Sequence, residues 1–78
     1  MNDAKRSMLK EAVQYLSRAT ALVDNVADKE SDAMDNIPEN LQGSDRYSAM
    51  EEVVDLLNDA SERIGDAAEL VVSAMKIR

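Results

Sequence analysis

One stretch near the middle of the chain constrains the fold more than any other: Asp35-Asn36-Ile37-Pro38-Glu39-Asn40-Leu41-Gln42-Gly43-Ser44-Asp45-Arg46. It holds the only proline and one of the two glycines. Pro38 has no amide hydrogen to give a helix interior, and it disfavours helical geometry at Ile37, so a first helix should end near Asn36. Gly43 is read as the residue that permits the sharp backbone angles of re-entry. Ser44 then suits an N-cap, with Asp45 placed against the positive end of a second helix. The flanking segments both carry a helical apolar pattern. The expected fold is therefore all-α: a single domain over 1–78, an antiparallel two-helix hairpin, coiled-coil-like. Its helices should run over about 3–35 and 45–77, with the corner over 36–44.

The heptads make this concrete. With Leu9 at position a, the a series of the first helix is Leu9, Leu16, Val23, Glu30 and Ile37, and d holds Ala12, Ala19, Val26 and Ala33. In the second helix a holds Met50, Leu57, Ile64 and Val71, and d holds Val53, Ala60, Ala67 and Ala74. Large residues at a and mostly alanine at d predict a closely approached a/d seam. Matching layers pairs positions whose numbers sum to 87, so that Val23 faces Ile64 and Glu30 faces Leu57. Ile37 and Leu41 should tuck under the hairpin and plug its end. Gly65, inside the second helix, costs roughly 1 kcal/mol relative to alanine, which close approach of another helix would explain.

The apolar stripe is wider than one partner helix can cover. Position e adds Val13, Ala27, Met34, Val54, Ala68 and Met75, and g adds Met8, Tyr15, Leu22, Ala49, Leu56 and Leu70. Leaving such a band open is unusual for a monomer. The expected cover is a second hairpin, giving a homodimeric four-helix bundle, with Met8, Tyr15, Leu22, Leu56 and Leu70 as the candidate apolar interface. Size points the same way. A chain of 78 residues buries only about 60 % of its unfolded surface, and scaffolds this small lean on a disulfide, a metal or an oligomer. With no cysteine and no histidine, oligomerisation is what remains.

Charge is unevenly spread. Residues 24–69 carry fourteen carboxylates against three cations (−11), while the two ends carry two carboxylates against six cations (+4), for the net −7. A hairpin would be basic at its open end and acidic over its middle and corner. Glu52, Asp55, Asp59, Glu62, Asp66 and Glu69, spaced by threes and fours, form one exposed row and are the candidate acidic interaction face. Such a surface repels free nucleic acid and attracts a protein with a basic or nucleic-acid-binding surface. The plain alternative is a solubilising face.

Without Cys or His, no nucleophile–base pair and no Glu-x-x-His di-metal motif can be written, and no glycine-rich phosphate loop is present. The chain is not expected to be an enzyme or to hold a cofactor or metal. Lys5, Arg6 and Lys10 are not followed by an apolar run, so no membrane association is expected, and a cytoplasmic protein is the plain reading.

The run Asp35-Asn36-Ile37-Pro38-Glu39-Asn40-Leu41-Gln42, then Ser44-Asp45-Arg46 and Met50-Glu51, resembles a motif of an uncharacterised family of small acidic helical-hairpin proteins from bacteria, phages and mobile elements. The resemblance implies a hairpin in a bacterial cell or phage-infected host. It carries over no functional residue, since the group has no established activity. Two functions are then expected: a non-catalytic interaction or structural accessory protein that self-associates, or a mobile-element inhibitor, anti-CRISPR-like or a DNA mimic, that blocks a nucleic-acid-binding enzyme through its acidic face.

Overall fold

In the computed structural model, which describes residues 1–77, helix α1 spans Asp3–Asp35 and helix α2 spans Asp45–Lys76, joined through a single 3-10 turn at Glu39–Leu41. At about 1.5 Å per residue each helix is close to 50 Å long. Folded side by side, they make a rod of 60 × 15 × 13 Å.

The sequence closes each helix end locally. Asn2 starts α1, its Oδ1 accepting from the Lys5 amide at 2.8 Å, a cap that the proline-centred reading missed. Asn36 ends α1, and the Ile37 amide still donates to the Met34 carbonyl at 3.0 Å. Pro38 then adopts extended geometry (φ −56°, ψ 144°), which turns the chain away from the helix axis. The amides of Leu41, Gln42 and Ser44 donate to the carbonyls of Pro38, Glu39 and Leu41, and the Gln42 side-chain amide reaches the Ile37 carbonyl at 3.3 Å. These bonds tie the corner to itself without help from either helix shaft. Ser44 Oγ accepts from the Tyr47 amide at 3.2 Å and opens α2, as expected. Replacing this hydroxyl (Ser44→Ala) should cost about 1 kcal/mol and lower the melting midpoint by about 4–8 °C at fixed concentration, with helicity retained, as circular dichroism would read.

Two expectations for the corner need correction. Gly43 has no positive φ, and a Cβ there would meet nothing within 4 Å, so re-entry rests on Pro38 and the Ser44 cap and not on glycine. Ile37 is half-buried as a plug, but Leu41 stays half-exposed.

The seam also differs from expectation. The half-buried or buried positions on α1 include Leu9, Val13, Leu16, Thr20, Val23, Ala27, Glu30 and Met34, alternating by four and three, and the series continues to Ile37 just past the helix end. On α2 the same alternation runs Met50, Val54, Leu57, Ser61, Ile64, Ala68, Val71 and Met75. The helices therefore pack through a and e. Of the d residues, Val26, Ala33, Val53 and Ala74 are exposed, while Ala12, Ala19, Ala60 and Ala67 are half-buried. The physical reason is area. Position e offers Val13, Met34, Val54 and Met75 where d offers mainly alanine, and each added buried CH₂ is worth about 0.8 kcal/mol. Ala27, at e, is 3 % exposed and is the one buried residue among those described. Near the open end, Lys10, Val13 and Gln14 share a groove with Val72 and Met75, in keeping with the expected layer register. A Cβ on Gly65 would meet nothing within 4 Å, so no close approach within the hairpin demands a glycine there.

Candidate interaction face

An antiparallel helix pair has an approximate two-fold axis through its seam, normal to the plane of the hairpin. Rotation about that axis exchanges the helices but keeps each broad face on its own side. Equivalent heptad flanks of α1 and α2 therefore share a face. With about 100° per residue, the g/d stripe of each helix is centred roughly 110° from its a/e seam. Both g/d stripes line the same broad face of the rod.

This face is a second, open seam. On α1 it reads Met8, Ala12, Tyr15, Ala19, Leu22, Val26, Lys29 and Ala33, and on α2 Ala49, Val53, Leu56, Ala60, Arg63, Ala67, Leu70 and Ala74. None of the fourteen carboxylates of the acidic middle falls in it. Its only charges are Lys29 and Arg63, whose long stems can lie along apolar surface with their ends in water. Arg63 Nε donates to Asp59 Oδ2 at 3.2 Å, which draws its head toward the outer edge of α2. All five residues expected at the apolar interface lie here, and all are between 59 and 72 % exposed. The Tyr15 hydroxyl donates to Glu11 Oε1 at 3.0 Å, holding its ring along α1.

The accessible surface measures the consequence. The rod exposes 6070 Å². A compact chain of 8.6 kDa would expose about 4,700 Å². The excess, roughly 1,400 Å², exceeds the roughly 800 Å² that each partner buries in a standard stable interface.

The six acidic residues all lie exposed at c and f of α2, about 150° from the a/e seam along the outer edge of the rod. Asp59 is the one drawn into an ion pair, and that pair is itself well exposed. Among the described residues no three acidic side chains converge as metal ligands would, and no helix is long and apolar enough to cross a membrane. No protein-family model, curated protein or solved structure matches the chain. The site therefore has to be read from its own geometry. What the heptad reading missed was the division of d: Val26, Ala33, Val53 and Ala74 lie on the open face, while Ala12, Ala19, Ala60 and Ala67 are half-buried between that face and the seam. The bulkier residues at e were the signal that could have shown it.

Proposed function

We propose that this protein is a non-catalytic interaction module, a helical hairpin that self-associates or docks on other helices through its g/d face. The observation that carries this reading is the continuous carboxylate-free seam along one broad side of a rod whose middle and corner are otherwise heavily acidic. Two heptad seams about 110° apart on each helix suit a helix with two neighbours, the arrangement of a four-helix bundle, and here each helix has one neighbour. Sedimentation equilibrium at micromolar concentration is expected to give about twice the chain mass. A monodisperse monomer of full helicity would remove self-association from the reading.

A second reading draws on the acidic edge. All six carboxylates are exposed and lie off the apolar face, so they form a separate surface able to meet a basic partner. In that reading the protein is an inhibitor that occupies a nucleic-acid-binding enzyme, and its contact must weaken with salt.

A further inference from the structure

We infer that the occupant of the g/d face is a second copy of the chain, seated with its corner over the open end of the first. This rests on the interaction reading above and adds the identity and orientation of the partner. Three observations carry it. The face is self-complementary in size, because bulky residues at g (Tyr15, Leu22, Leu56, Leu70) alternate with alanine at d (Ala19, Ala67), so knobs of one copy find small-residue hollows on the other. The surface excess of roughly 1,400 Å² per chain is more than the roughly 800 Å² that each side of a standard stable interface buries. The third observation is charge, and it selects the orientation.

Two hairpins can stack face to face in two ways. A two-fold axis along the rod puts corner over corner; an axis across the rod puts corner over open end. In both, every helix has antiparallel neighbours, so the helix dipoles do not discriminate. Side-chain charge does. Residues 24–69, which form the corner end and middle, sum to −11, and the open end sums to +4. The first stacking sets like on like at both ends. The second lays each basic open end over an acidic corner. Packed helix axes are about 8–10 Å apart, comparable to the screening length of about 8–10 Å at ordinary salt, so the preference is felt.

The absence of cysteine allows a clean test. A nitroxide on Asn40→Cys, an exposed corner position, would be read by pulsed electron paramagnetic resonance, with sedimentation of the same sample. Corner over open end predicts a dimer with the two labels about 50 Å apart, from the 1.5 Å rise over the residues between the corner and its opposite level. A dimer with labels under about 30 Å apart would overturn this orientation while leaving self-association standing. A monomer would overturn both, and would assign the face to the helices of some other protein.

Discussion

Leu56→Glu combined with Leu70→Glu is expected to hold the chain as a monomer at concentrations where the proposed dimer of the wild type forms. Leu56 and Leu70 are 61 and 72 % exposed in the hairpin, so the two carboxylates cost the isolated fold little. In a dimer they would enter an apolar interface from both copies. Desolvating an ion there costs several kcal/mol even after relaxation, and each 1.4 kcal/mol is a tenfold change in affinity. The loss should therefore exceed about a thousandfold. Sedimentation would show the change in mass. Melting at two protein concentrations gives an independent reading, because a dimer's midpoint rises with concentration and a monomer's does not. If the double variant still sediments as a dimer, the copies meet elsewhere and the g/d face is not the contact. Alanine at both positions should weaken pairing far less than glutamate, which separates lost packing from buried charge.

The second large effect concerns the outer edge of α2. Changing Glu52, Asp55, Asp59, Glu62, Asp66 and Glu69 to Gln or Asn is expected to stabilise the hairpin, because the row contains successive like-charge neighbours at three and four residues, each worth about 0.2–0.5 kcal/mol. Loss of the exposed Asp59–Arg63 pair offsets only a few tenths of a kcal/mol of this. A rise of about 5 °C in the melting midpoint is the expected reading. Dimerisation through the apolar face should persist and become less dependent on salt, since the net charge of each chain falls from −7 to −1. The same variant decides between the two functional readings. A partner captured by the wild type at low salt and lost by the amide variant would favour the acidic edge as the working surface. A partner retained by the variant would assign recognition to the apolar face.

The corner and both helix spans were legible in the chain because their signals are local. Pro38 stops a helix whatever surrounds it, and Ser44 caps one with its own hydroxyl. The facing of the helices was less legible. Leu9, Leu16 and Val23 belong to an a/d seam and to an a/e seam equally well, and the choice is made by which neighbours bury more area on pairing. Val13, Met34 and Met75 outweigh Ala12, Ala33 and Ala74, a comparison across positions that periodicity alone does not make. The exposure of Met8, Tyr15, Leu22, Leu56 and Leu70 was anticipated, since no single partner helix reaches g once it covers a. Gly43 shows the opposite limit. A glycine in a turn suggests unusual backbone angles, and here the backbone takes none.

The layer register has a consequence for how such a chain can change in length. Each residue of α1 meets a level of α2 set by its distance from the corner, so one residue inserted in either arm rotates everything beyond it by about 100°. Distal to the insertion the seam would turn away from its partner helix, and the open face would lose its continuity. The arms can therefore grow or shrink only in whole heptads, and only if both change together. The corner, whose hydrogen bonds run mostly within itself, and the outer ends are the places where single residues can come and go. Drift in length within such proteins should accordingly be confined to the tips of the rod, with its shaft lengthening in matched steps of seven.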